Sequence, residues 1–132
     1  MKKGHKKLNR TFIHTLTEIC EHLVDEISGF KYLTDFVDYD NIVETLNIVC
    51  VFENTADIVE LKRQKKDLYI KQFIAKELLA FDVQIKKRDY VIFDSEEACN
   101  IEHGGDWTKR LKRFEIKAAV DRESSQSNWS KI

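Results

Sequence analysis

Residues 46–53, LNIVCVFE, decide how this chain folds. They form a nearly continuous apolar run of strand-forming side chains, without the polar alternation of a half-exposed strand. Such a run predicts a central strand buried on both faces. YVIF (90–93) repeats the signature further along. Between the two, residues 56–81 carry helical spacing in two pieces. Ile58, Val59 and Leu61 make a short apolar group, followed by the basic run Lys62, Arg63, Lys65, Lys66. Asp67 then stands where it would cap a second helix carrying Leu68, Ile70, Phe73, Ile74, Leu78 and Phe81, while Asn54 and Thr55 are N-cap candidates for the first. A strand, a helix pair and a strand of this length predict a right-handed crossover between parallel strands.

Outward from this unit, Phe12, Ile13, Leu16, Ile19, Cys20, Leu23, Val24 and Ile27 follow one helical face, predicting a helix over about 10–27 that stops at Gly29. FKYLTDFVDY (30–39) has the composition of a strand. Val83 and Ile85 alternate like an edge strand, with Lys86, Lys87, Arg88 and Asp89 as a turn. After 90–93, Asp94 or Ser95 caps a short helix that Gly104-Gly105 ends, and Asp106 caps another on which Trp107, Leu111, Phe114 and Ala118 share a face. The order α-β-β-α(α)-β-β-α defines an α+β fold, a two-layer α/β arrangement of a small mixed β-sheet packed by helices. It also resembles one KH-type RNA-binding order, without that module's G-x-x-G loop. A single globular domain is expected over 1–120, with a basic N-terminal arm (1–9) and a disordered polar tail (121–132).

The 132 residues are 42% hydrophobic and 34% charged, with a net charge of −1. No apolar run approaches the roughly 20 residues that span a bilayer, and Glu18, Glu21, Asp25 and Glu26 interrupt the apolar residues after the basic N-terminus. A cytoplasmic protein without membrane contact is expected. Cys20, Cys50 and Cys99 are odd in number, widely spaced and set in apolar patterns, which predicts reduced, buried thiols. His14 and His22 lie off the first helix's apolar stripe, with Glu18 and Glu26 one turn on. No phosphate loop, dinucleotide glycine pattern or Gly-x-Ser-x-Gly is present, and no cofactor is expected.

Two clusters carry candidate chemistry. Five cations fall in the first ten residues, and Lys109, Arg110, Lys112, Arg113 and Lys117 crowd the last helix. Lys6, Lys7, Arg10, Lys109, Arg110, Lys112 and Arg113 are therefore the candidate contacts to nucleic acid or a ribonucleoprotein, joined by Lys62–Lys66 if the fold unites them. Catalysis is not the favoured reading. The acidic cluster where the last strand ends supports an alternative, a metal-dependent hydrolase or nuclease with Asp94, Glu97 and His103 as ligands. Helix capping and the macrodipole account for the same acids. A third reading is a homodimeric interaction module pairing through an exposed strand edge near 83–86.

GFKYLTDFVDYDNIVETLNIVCVFEN (29–54) and FDSEEACNIEHGGDWTKRL (93–111) together resemble a family of small uncharacterised proteobacterial proteins, some labelled Fis family transcriptional regulator, and cover about a third of the chain. The resemblance implies a bacterial cytosolic protein. Fis proteins themselves are helical dimers ending in a helix-turn-helix, an architecture at odds with strands at 46–52 and 90–93, so no functional residue carries over.

Overall fold

The computed structural model describes residues 3–38, 40–80, 83, 85, 89–112 and 129–131, the side chains of 3–9 and 129–131 excepted. Helix α1 (Lys3–Glu26) is longer than its apolar pattern, because the segment expected as an arm continues the helix back to Lys3. Its buried face is Phe12, Leu16, Ile19, Cys20 and Leu23, with Ile27 just beyond its end. His14–Glu18 (3.1 Å) and His22–Glu26 (2.8 Å) pair one turn apart on the solvated side. Gly29 turns the chain at φ +84° into strand β1 (Phe30–Phe36). A one-turn helix α2 (Ile42–Thr45) fills the connection to strand β2 (Asn47–Phe52).

Strand β1 runs antiparallel to β2 with a shift in register between Phe30 and Tyr32. Two residues advance on β1 for one on β2, which keeps Phe30 and Leu33 in the same core despite their odd spacing. Helices α3 (Thr55–Arg63) and α4 (Lys66–Ala80) then lead to strand β3 (Val91–Ser95), which pairs parallel to β2 as the crossover requires. Asp67 lies inside the first turn of α4 rather than capping it. Helices α5 (Glu96–His103) and α6 (Trp107–Arg110) follow. The sheet order is β3-β2-β1-β4, where β4 (Trp129–Lys131) pairs antiparallel with Thr34–Phe36. Part of the tail expected to be disordered thus closes one side of the sheet. Residues 113–128, Phe114 and Ala118 among them, lie outside the described residues, as do Phe81 and Lys86–Arg88.

Strand β2 is buried along its whole length because both sheet faces are covered. Ile48, Cys50 and Phe52 enter the main core with α1, α3 and α4, and Val49 and Val51 meet Leu111 and Trp107 on the opposite face. Of the edge strand expected there, Val83 and Ile85 are the described residues, and neither belongs to a strand. The Val83 N–H instead donates to Leu78 O (2.8 Å) at the end of α4, and both side chains pack into the main core. Their alternation reflects plugging of the core beneath α4, not pairing.

The turn at Gly29 yields a first test. A Cβ there would sit 2.5 Å from Asp57 Cγ, and Asp57 is the carboxylate that accepts the Asn54 N–H (3.0 Å) at the start of α3. Gly29→Ala combines left-handed strain with displacement of that contact, so chemical denaturation should show a loss of about 2–3 kcal/mol.

Candidate functional site

Asp94, Ser95, Glu97 and Asp106, at and beyond the end of β3, each have a structural engagement. Ser95 caps α5, its Oγ accepting the Ala98 N–H (3.0 Å), and shares a 2.9 Å hydrogen bond with Thr55 Oγ1. Glu97 Oε1 accepts the Thr55 N–H (3.0 Å), and the Glu97 N–H donates to Glu53 O (3.2 Å). The first turns of α3 and α5 are interlocked by these bonds. Gly104 (φ +59°) ends α5 in the left-handed region, with its N–H and that of Gly105 returned to Asn100 O and Cys99 O, as a helix-terminating glycine pair should. Asp106 Oδ1 then caps α6 through the Lys109 N–H (3.0 Å).

The centre of the region is a buried ion pair. Asp94 Oδ2 accepts from Arg110 Nε (2.6 Å) and Oδ1 from Arg110 Nη2 (2.9 Å), a two-pronged match of guanidinium and carboxylate. Asp94 Oδ1 also accepts the Ser95 N–H (2.9 Å). The remaining Arg110 nitrogen, Nη1, faces Glu102 Oε1 (3.1 Å), His103 Nδ1 (3.3 Å) and Ala98 O (3.4 Å). Hydrogen bonding to Asp94 raises the Arg110 pKa above its already high ordinary value, against the opposing effect of burial. Burial pushes the neighbouring Cys99 thiol up, with Arg110 partly offsetting it. Cys20 and Cys50 are likewise buried thiols raised by desolvation.

Two expectations are corrected here. Arg110, grouped with exposed nucleic-acid contacts, is only 8% exposed and is held by Asp94. The Asp94, Glu97, His103 metal set does not assemble. Arg110 supplies the positive charge that a divalent ion would have supplied to Asp94, Glu97 turns to the α3 amide, and His103 faces the guanidinium. Among the described residues no three His, Cys, Asp or Glu side chains are grouped to hold a metal ion.

The other predicted contacts are dispersed. Lys109 and Lys112 are exposed beside α6, on the sheet face opposite α1. Arg10 is exposed on α1, Lys6 and Lys7 belong to its first turns, and Arg113 lies outside the described residues. Lys62, Arg63, Lys65 and Lys66 are all exposed at the α3–α4 corner, where Lys65 takes φ +60°. That corner adjoins the C-terminal end of α1, since the His22 ring stacks on Phe73 (4.4 Å) and the Tyr69 hydroxyl bonds the Glu26 carboxylate. Arg10 is therefore about 24 Å away along α1, at 1.5 Å per residue. Among the described side chains, the basic residues therefore lie in separate patches.

A cleft of about 370 Å³ lies between Tyr32 and Thr34 of β1 and Asp106, Trp107 and Thr108, with Tyr32 and Trp107 edge to face at 6.5 Å. No helix among the described residues is long and apolar enough to cross a membrane. No protein-family model, curated protein or solved structure matches the chain.

Proposed function

We propose that this chain is a small cytosolic binding module that contacts nucleic acid electrostatically through the α3–α4 corner. The observation that carries this reading is the density of exposed positive charge there. Four cations lie within five residues of one helical corner, all exposed, and among the described residues Arg63 alone of the four is ion-paired, to Glu60. Arg63 and Gln64 together hold the Glu60 carboxyl down to about 2, so this acid stays ionised and bound to its own helix. The engagement of Asp94, Glu97 and Asp106 in bonds within the fold favours binding over hydrolysis. A bacterial cytosolic setting is what the resemblance of 29–54 and 93–111 implies.

Mobility-shift titration against mixed RNA and DNA fragments, at low and moderate salt, tests the reading. Four phosphate contacts should give a slope of log K against log salt of about −3. Replacing Lys62, Arg63, Lys65 and Lys66 with Gln should abolish the shift, and replacing Lys109 and Lys112 should leave most of it. Absence of any shift at about 50 mM salt, or full binding by the fourfold variant, would overturn it.

A further inference from the structure

Three rings run in an offset stack along the groove between α1 and α4, next to the basic corner. The His22 ring lies 4.4 Å from Phe73 at 21°, and Phe73 lies 6.2 Å from Tyr69 at 18°, so neighbouring planes are nearly parallel. His22 and Glu26 stand one turn apart on α1, as Phe73 and Tyr69 do on α4. The Glu26 carboxylate pairs with His22 Nε2 (2.8 Å) and accepts the Tyr69 hydroxyl, which fixes how the last ring is set. Phe73 is half-buried against the main core, whereas Tyr69 keeps 39% of its surface in solvent. With Phe73 on one side and the hydroxyl tied to Glu26, the open surface is the ring's outer face. Side chains on a helix lean over the turn N-terminal to their own Cα, so Tyr69 leans towards Lys65 and Lys66. The Lys65 N–H donates to Lys62 O (3.0 Å), which closes that turn and holds the cations together. Residues 60–69 contain four cations and two acids, and one of the acids, Glu60, is bound by Arg63 and Gln64.

We propose that the α3–α4 corner receives single-stranded nucleic acid, one unpaired base stacking on the outer face of Tyr69 while Lys65 and Lys66 hold the neighbouring phosphates. The inference rests on the electrostatic reading of the corner given above and narrows it. Every nucleobase presents a flat π-face, so a stack already three rings long takes a fourth member without a new pocket. A positively charged surface beside an exposed aromatic ring is the combination that binds unpaired strands. A duplex keeps its bases stacked on one another and turns its phosphates outward, so it meets the lysines and leaves Tyr69 unused. The single hydrogen of the Tyr69 hydroxyl is committed to Glu26 and is not available to a base edge, so the site should tolerate any sequence. A ring face does not sense the ribose 2′-hydroxyl either, so RNA and DNA strands share the chemistry recognised here.

Fluorescence anisotropy of the full chain with end-labelled strands of about ten nucleotides, at about 50 mM salt, provides the test. Oligoadenylate should bind roughly tenfold more tightly than a strand of equal charge whose sugars carry no base, the scale of one stacked base. Ribose and deoxyribose versions separate the two sources of strand, and near-equal affinities are expected. Tyr69→Leu should lower adenylate binding to the abasic level, with unchanged far-ultraviolet circular dichroism. Tyr69→Phe keeps the ring and should retain the difference. Binding of a duplex should not respond to Tyr69→Leu. Equal affinity for adenylate and abasic strands, or an adenylate preference that survives Tyr69→Leu, would overturn the stacking and leave the electrostatic reading standing. Absence of binding to every strand and to the duplex would overturn both.

Discussion

Arg110→Met should destabilise the fold by about 3–5 kcal/mol, the cost of leaving a buried charge without its partner. Asp94 would keep only the Ser95 N–H and a location 7% exposed to solvent. Replacing both ends of the pair, as Asp94→Leu with Arg110→Met, should recover much of the loss, because neither charge then has to be held out of water. Arg110→Lys should fall between these results, since an ammonium keeps the charge but cannot reproduce the two-pronged geometry or reach Glu102 at the same time. Urea midpoints at constant slope provide the measurement. They should differ little between low and high salt, because a pair this buried is weakly screened. A loss below about 1 kcal/mol for Arg110→Met would mean that the pair is solvated, as surface pairs are.

Phe52→Ala should cost a similar amount, about 3–5 kcal/mol, through lost burial and the cavity left behind. Phe52 has no exposed surface and closes the end of β2 against rings on both neighbouring strands. It meets Phe30 of β1 edge-on at 5.4 Å and Phe93 of β3 at 6.2 Å. Removing it opens both strand pairs where the chain turns into α3. Phe52→Leu should cost under about 1.5 kcal/mol, since most of the volume is retained. Denaturation midpoints of the two variants distinguish a packing role from mere hydrophobicity. Equal losses would show that the aromatic contacts contribute and volume does not.

Much of the fold was legible because burial on two faces leaves an unmistakable pattern. LNIVCVFE lacks polar alternation, and β2 is indeed flanked by paired strands and covered on both faces. Helix α1 was equally plain from its apolar face, and Gly29, Ser95, Gly104 and Asp106 mark turns and caps where their chemistry indicated. Val83 and Ile85 misled because two alternating apolar residues also suit a chain crossing the core obliquely. Strand β4 was hidden in a polar tail, since a short strand paired through its backbone needs no apolar pattern. At the site, charge counting missed Arg110. It sits three residues after Trp107 and immediately before Leu111, so the helical phase places it at the margin of the apolar face, whereas Lys109 points away. That phase was a usable signal. The partnership with Asp94, sixteen residues upstream, had none, because it depends on how α6 is laid across the sheet.

The parallel pairing of β2 with β3 has a consequence for the order of events in folding. Strands β1 and β2 meet after a connection of about ten residues, whereas Ile48 and Val91 meet only after more than forty. Closing the longer loop is entropically dearer and slower. Asp94 lies on the late-arriving strand, and Arg110 can grip it only once α5 and α6 have settled over the sheet. The ion pair therefore cannot help the chain find its topology and acts as a latch on the finished one. Its removal will be felt in how fast the protein comes apart, with the rate of assembly left nearly untouched.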